Sequence, residues 1–449
     1  MSELLLEEFE PVVERDRVDR IRGRVREFDW AAMPDLTGWQ GGIDRDLVSR
    51  LCAHWCDRWD PDAWVARLRR RRQVAGRAGD LPVHLIHERR RPGADGLPIV
   101  LLHGWPGTVF EFERVLDPLL TAGHEVIVLS LPGYGFASPL PRPVSPREVA
   151  HLVHRVVTDG LGHPAYVVHG TDWGSRVAGW LGIDHADACA GVHLSMLTSR
   201  AEDARVETAE EQAWRERFRA GLDRAGGYQA IQRTRPQTLG FALADSPVGA
   251  AAWIWEKYAE WAGLARPPGA RWPSVDDVLE TFGADLLVDI AMLYLTTSTL
   301  VTSTWMYLAA GRDPASYPGS GLRVPVGAAA FPDPLALVPP RSLVERSFAV
   351  VQWDEPRRGG HFPALEAPDE LVGLAAPLRR ASRGPRPRLT AAQRVWLIGS
   401  SPSSALSASS SRPPVAWWWL SGTHSAATAA RQSAAARTTR PATYPDSTG

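Results

Sequence analysis

Apolar side chains recur at three- and four-residue spacing early in the chain, then gather into short unbroken runs from about residue 81. Val18, Ile21, Val25 and Phe28, with Arg, Asp and Glu between them, lay an apolar stripe along one helix face. A second helical stretch over 44–72 is rich in tryptophan. No strand-like run precedes these helices, so residues 1–80 read as a helical N-terminal extension outside any sheet. Trp30, Trp39, Trp55, Trp59 and Trp64 give it too much apolar surface for a free arm, so it is expected to pack on the rest of the molecule, some tryptophans near the cap described next. From residue 81, VHLIHE, PIVLLHGW, EVIVLSLPG, AYVVHG and GVHLSML are five strand candidates, with helical stretches such as 146–161 and 175–183 between the later ones. Buried apolar strands alternating with helices predict an α/β core with a mostly parallel sheet.

Residues 198–315 break this alternation: they are helix-like, rich in Trp and Ala, and interrupted by loops such as ARPPGARWP. Strand-like sequence returns at LRVPVGAAAF and FAVVQW. A helical block inserted after the fifth to sixth strand predicts a cap over the carboxyl edge of the sheet, where such folds bind ligands. The core then comprises 81–197 and 316–382. Residues 383–449 collapse into Ser, Ala, Thr, Arg and Pro, a composition that buries too little apolar surface to offset chain entropy, and read as a disordered tail.

Composition narrows the function classes. The net charge is −1, so no global basic field points to nucleic acid, and the arginine-rich stretch 67–72 reads as a solvated helix end. No transmembrane span or signal peptide is visible. The three cysteines, Cys52, Cys56 and Cys189, make no disulfide framework and fit a reducing cytoplasm. Cys52 and Cys56 bracket His54, but no second ligand pair follows at zinc spacing, so no metal is expected.

The chemistry concentrates in AYVVHGTDWGSRVAGW. An apolar strand runs into Gly170-Thr171-Asp172-Trp173-Gly174 and then a helix; small residues two before and two after the centre permit the strained strand-to-helix turn called a nucleophile elbow. An Asp there also suits a simple helix N-cap. As a nucleophile, a carboxylate attacks an sp3 carbon bearing a strained or poor leaving group and forms an ester, which water must then cleave with the help of a base and an oxyanion hole. His361 in RRGGHFPALEAPDEL, after the final strand-like run, is the candidate base, although a histidine in a loop needs no such role. The backbone N–H groups of Trp105, in the turn His103-Gly104-Trp105-Pro106-Gly107, and of Trp173 are the oxyanion candidates. A phosphate loop is the competing idea for that turn, but neither GK[ST] nor GxGxxG is present. His103 and His169 read as residues that orient backbone.

Together HGWPG, GTDWGS, LPGYGFASP at 131–139 and RGGHFPALEAPDEL resemble the epoxide hydrolases of the α/β-hydrolase superfamily, in the microsomal-type branch with an extra N-terminal domain. FDW and WDPDAW sit where that domain has similar patches, and the likeness spans roughly residues 5–380. It implies two cap tyrosines that donate hydrogen bonds to the epoxide oxygen, Tyr228 in GGYQAIQRTRPQ and Tyr307 in TSTWMY. It also implies a triad acid, usually in Phe-Pro-any-Asp/Glu. Here the segment is Phe331-Pro332-Asp333-Pro334, so Asp333 stands one place early, which puts its reach to His361 in question. HGTDWG likewise stands where GGDWG is commoner.

The implied reaction converts an epoxide and water into a vicinal diol, with no cofactor or metal. Homodimerisation is left open. Two other readings stand beside it. A haloalkane dehalogenase-like enzyme would use the same Asp nucleophile with Trp or Asn halide donors. An impaired hydrolase scaffold, suggested by the displaced acid, would bind a ligand without turnover.

Overall fold

The computed structural model describes residues 3–375 except 37, 95, 198–204, 267–269, 271, 314–316 and 319–320. The tail expected to be disordered lies outside the described residues from 376 onward.

Among the described residues one sheet of nine strands organises the fold, in the order β1-β2-β3-β5-β4-β6-β7-β8-β9. The strands are β1 (Leu4–Phe9), β2 (Gln73–Ala78), β3 (Leu81–Glu88), β4 (Ile99–Leu102), β5 (Val126–Leu129), β6 (Tyr166–Gly170), β7 (Cys189–Leu194), β8 (Val326–Ala329) and β9 (Val350–Asp354). From β5 to β9 every neighbouring pair is parallel, while β1, β2, β3 and β5 pair antiparallel. All residues of β4, β5 and β6 are buried, as both-face coverage demands of a parallel sheet.

The N-terminal segment is helical through its middle, in α1 (Arg15–Arg26), α2 (Arg45–Asp57) and α3 (Pro61–Arg69). The expectation that it precedes any strand and stands outside the sheet is corrected. Its two ends form β1 and β2, and β1 closes the edge of the sheet in register with β2, Leu4 opposite Ala78 and Phe9 opposite Gln73. These strands carry no long apolar run: β1 alternates half-buried and exposed positions, and β2 contains Gly76 and Arg77. They are strands because β3 offers unpaired backbone groups along its whole length, which must find partners.

Helices α4 (Glu113–Thr121), α5 (Pro146–Arg155) and α6 (Asp172–Asp184) connect the central strands. The cap leaves the sheet after β7, the fifth strand counted from residue 81. It comprises α7 (Ala209–Ala225), α8 (Gly227–Thr234), α9 (Pro236–Asp245), α10 (Pro247–Trp261), α11 (Val275–Phe282), α12 (Ala284–Thr297), α13 (Leu300–Ser303) and α14 (Trp305–Arg312). Three short helices follow the return to the sheet: α15 (Arg341–Glu345), α16 (Pro363–Glu366) and α17 (Pro368–Ala375).

The N-terminal helices pack on the cap. Trp55, Trp59 and Trp64 are fully buried. Trp55 meets Trp255 edge to face at 6.0 Å, and Trp39 stacks on Trp272 at 4.7 Å. Asp289 of α12, buried in the cap, takes a hydrogen bond from Trp59 Nε1 at 2.8 Å and two from Arg67, at 2.8 and 2.9 Å. Arg67 is therefore not the solvated helix-end residue expected from its run: a carboxylate out of water needs a paired counter-charge, and Arg67 supplies it.

Candidate active site

The turn between β6 and α6 places Asp172 at the carboxyl edge of the sheet with φ of +45°. That left-handed backbone is uncommon outside glycine and holds the side chain clear of the helix it starts. The small residue after it is required by space: a Cβ on Gly174 would come within 2.0 Å of the Leu102 carbonyl oxygen. Asp172 Oδ1 accepts a hydrogen bond from the Trp105 N–H at 2.8 Å. The Trp173 N–H also favours its charge. The turns after β4 and β6 thus aim two backbone donors at one carboxylate.

His361 lies beside it. Its Nδ1 is 2.8 Å from Asp333 Oδ2 and its Nε2 is 3.6 Å from Asp172 Oδ2. Asp333 follows β8, and its displacement by one position does not keep it from His361. The second oxygen, Oδ1, accepts from the N–H groups of Leu335 and Ala336 at 2.7 and 2.9 Å, a local turn that fixes the side chain. Pro334 has no N–H, so it takes nothing from that turn.

The histidine loop is pressed against the cap. The His361 N–H donates to the Trp261 carbonyl at 3.1 Å. The pair of glycines before His361 answers a close backbone approach, since a Cβ on Gly360 would meet Gly263 N at 2.2 Å. Glu366 ties the two together, accepting from Phe362 N at 2.9 Å and Gly263 N at 2.7 Å.

Above Asp172, α8 and α14 bring Tyr228 and Tyr307 together, ring centroids 6.0 Å apart. The Tyr228 ring stacks on Trp105 at 5.3 Å, and the Tyr307 ring stands edge-on to Trp173 at 4.7 Å. Tyr228 Oη accepts from Gln229 Nε2 at 2.9 Å. All seven residues singled out in the sequence therefore meet in one buried place. Of the two flanking histidines, His103 binds backbone, accepting from Leu131 N at 3.2 Å, and His169 meets both the backbone of His193 and its ring, Nδ1 to Nδ1 at 2.9 Å.

Comparison with known proteins fits this geometry. Residues 6–112 match the family described as epoxide hydrolase N terminus, and 98–237 match the alpha/beta hydrolase fold. A protein of Stigmatella aurantiaca named "Putative epoxide hydrolase" is 31% identical over 373 residues, covering 80% of this chain and 81% of the relative. The chain belongs to the epoxide hydrolase family. The epoxide hydrolase structure from Aspergillus niger superposes with a TM-score of 0.71 at 26% identity, covering 84% of this chain and 97% of that one. The juvenile hormone epoxide hydrolase of the silkworm Bombyx mori gives 0.73 at 25% identity, covering 85% and 95%. Among the described residues of this epoxide hydrolase no single helix is long and apolar enough to cross a membrane. The pair Ala284–Thr297 and Leu300–Arg312 passes such a test only jointly, bends by 104° and belongs to the cap.

Electrostatics of the hydrolase's site follow from burial. Burial pushes the Asp172 carboxyl up, against the pull of His361 and the two backbone donors. Burial alone would lower His361; the charge and hydrogen bond of Asp333, with Asp172 and Glu111, outweigh it and hold the imidazole up at about 9. Tyr228 and Tyr307 are both pushed up by burial, Tyr307 also by Tyr228 and both by the Asp172 charge, so they stay protonated donors.

Two carboxyls here escaped the sequence reading. Glu111, buried beneath the His103–Gly107 turn, is pushed up to about 8, first by burial. Glu366 is pushed up by burial to about 7. A charged residue between phenylalanines in VFEFE is the only local sign of Glu111. Glu111, Glu366 and His361 each hold, when folded, a proton that the unfolded chain releases at lower pH. Their stabilising contribution is complete below the unfolded values, about 4.3 for Glu and 6.5 for His, and is lost as pH rises through the folded ones. The melting temperature should fall between pH 7 and 9, and Glu111→Gln should flatten part of that slope. A wild-type melting temperature that is constant or rising across the window would contradict these assignments.

Proposed function

We propose that this epoxide hydrolase works through an alkyl-enzyme ester on Asp172. The observation that carries the reading is the line Asp333–His361–Asp172 beneath two cap tyrosines, with both Asp172 oxygens distinguished by their surroundings. Oδ1, held by the Trp105 N–H, is placed to become the ester carbonyl oxygen. Oδ2, facing His361, is the attacking atom. It forms a C–O bond to one epoxide carbon as the ring C–O bond breaks, and the electron pair leaves on the epoxide oxygen. Tyr228 and Tyr307 stabilise that oxygen by hydrogen bonds and supply its proton, which an alkoxide leaving group requires near neutral pH.

Esterification changes the base. The negative charge of Asp172 is one of the causes that hold His361 up, and the neutral ester no longer provides it. His361 therefore gives up its own proton more readily once the ester exists, and the neutral imidazole is then free to act as the base. It takes a proton from water, the hydroxide adds to the ester carbonyl carbon, and the Trp105 and Trp173 N–H groups hold the oxyanion. Collapse breaks the acyl C–O bond as the His361 imidazolium returns its proton to the departing diol oxygen, and the proton left on the new carboxyl goes back to the tyrosinate, which releases the vicinal diol and restores both the Asp172 carboxylate and the phenol. Asp333 keeps the imidazole oriented and stabilises its charged form.

The path of oxygen tests this directly. In a single turnover with enzyme in excess in H₂¹⁸O, the diol should carry no ¹⁸O, because its new oxygen comes from Asp172, and the label should appear in the peptide containing Asp172. Label in the diol on that first turnover would mean direct attack of water on the epoxide and would overturn the ester route.

A further inference from the structure

At the opposite end of the sheet lies a cluster that this chemistry does not use. His87 near the end of β3, Glu125 just before β5 and His163 before β6 converge at the amino ends of the parallel strands, whereas Asp172 follows the carboxyl end of β6. His87 Nε2 and His163 Nε2 lie 2.6 and 2.9 Å from the same oxygen, Glu125 Oε1. All three donor atoms fall within 4.8 Å of one another. His87 and Glu125 side chains are 6% and 9% exposed, while His163, at 20%, leaves an approach from solvent. The three residues come from separate stretches of the chain, so no sequence spacing announces them.

We propose that His87, Glu125 and His163 form a site for one divalent transition-metal cation, zinc by ligand type, with a water molecule completing the coordination. Two imidazoles and a carboxylate are a recurrent zinc donor set, and a borderline-soft cation prefers them to a set made of oxygen alone. Zinc–nitrogen bonds of about 2.0–2.1 Å place tetrahedral ligands about 3.3 Å apart. The Glu125 oxygen must therefore part from the histidine nitrogens, now 2.6 and 2.9 Å away, while the two imidazole nitrogens, within 4.8 Å of each other, come to about that same separation, shifts made by side-chain torsions.

Arg72 competes with the cation. Its Nη1 is 3.0 Å from His87 Nδ1, and a guanidinium can only donate, so without metal His87 carries its proton on Nε2, toward Glu125. Metal binding at Nε2 moves that proton to Nδ1 and turns Arg72 away. Glu8 can retain it, since Glu8 Oε1 already accepts from Arg72 Nε and Nη2 at 3.3 and 3.2 Å. Arg72 thus lowers the affinity of a site whose ligands are otherwise assembled, and joining β3, β5 and the entry to β6 through one ion would stabilise this edge of the fold.

The test uses the full chain, freed of metal with a chelator and then titrated with Zn²⁺ or Co²⁺. The wild type should bind one equivalent, raise its melting temperature with Zn²⁺, and give with Co²⁺ the visible absorption of a four-coordinate N/O site. His163→Ala and Glu125→Gln should lose all three signals, and Arg72→Gln should bind about tenfold tighter. A second histidine group, His151 and His185, 2.7 Å apart on the surface, serves as the control, and His185→Ala should behave as wild type. If neither wild type nor Arg72→Gln takes up an equivalent of metal, or if His185→Ala and not His163→Ala removes the signal, the proposal is wrong.

Discussion

Asp172→Asn should lower diol formation by roughly 10⁴-fold or more while leaving the protein folded. The amide cannot act as the nucleophile, yet it keeps an oxygen for the Trp105 N–H, which now lies 2.8 Å from Oδ1. Asn is also among the residues that tolerate a positive φ, so the +45° backbone at this position is retained. The carboxylate is buried at a cost, since burial is the largest influence on it and raises its pKa. Removing the charge should therefore hold or raise the melting temperature, the usual sign of a residue kept for activity at the expense of stability. Freshly prepared Asp172→Asn protein that retains more than about a hundredth of the wild-type rate would remove Asp172 from the mechanism.

Asp333→Asn should separate the two halves of the reaction. Alkylation needs Asp172 and the tyrosines; ester hydrolysis needs His361 in the correct tautomer and able to accept charge. In this variant the side chain facing Nδ1, now a carboxylate at 2.8 Å, becomes a neutral amide that can present an N–H, which disfavours both. Hydrolysis should slow by about 10⁴-fold, the scale found for triad acids, so the covalent ester accumulates. Rapid quenching followed by mass spectrometry of the Asp172 peptide would display it as a stoichiometric mass increase. Wild-type turnover without accumulated ester would show that His361 does not depend on Asp333.

The pattern of apolar runs disclosed β3 to β9: β3 to β8 are almost wholly buried and leave a run whatever they pair with, and β9, although only half-buried, carries the same kind of run in FAVVQW. It disclosed neither β1 nor β2. Leu4–Phe9 is an edge strand with one half-buried face, and Gln73–Ala78 owes its conformation to neighbours on both sides, so pairing and not composition decides both. At the site, Asp172 was legible because an elbow constrains five consecutive residues. Asp333 was ambiguous because a one-residue shift in a motif matters only through the path of the loop, and the turn closed by the Leu335 and Ala336 N–H groups lies outside any spacing rule. Glu111 was invisible for a different reason. A buried carboxyl is ordinarily the exception, and nothing in its flanking residues says that it lies near enough to Asp172 and His361 to feel their charges. The three members of the His87 cluster could be joined only by knowing the strand order.

The clamp on Asp289 bears on how substrate comes and goes. The cap is gripped on one side by Arg67 and Trp59, with Arg17 donating to the Leu295 carbonyl at 2.8 Å, and on the other by the histidine loop at Gly263. A cap hinged only at its two chain connections could swing aside as a lid; this one would first have to break the Asp289–Arg67 ion pair and the hydrogen bond from Trp59. The N-terminal helices are thereby a brace for the insertion that carries Tyr228 and Tyr307, and loosening that brace is the expected cost of any outward movement.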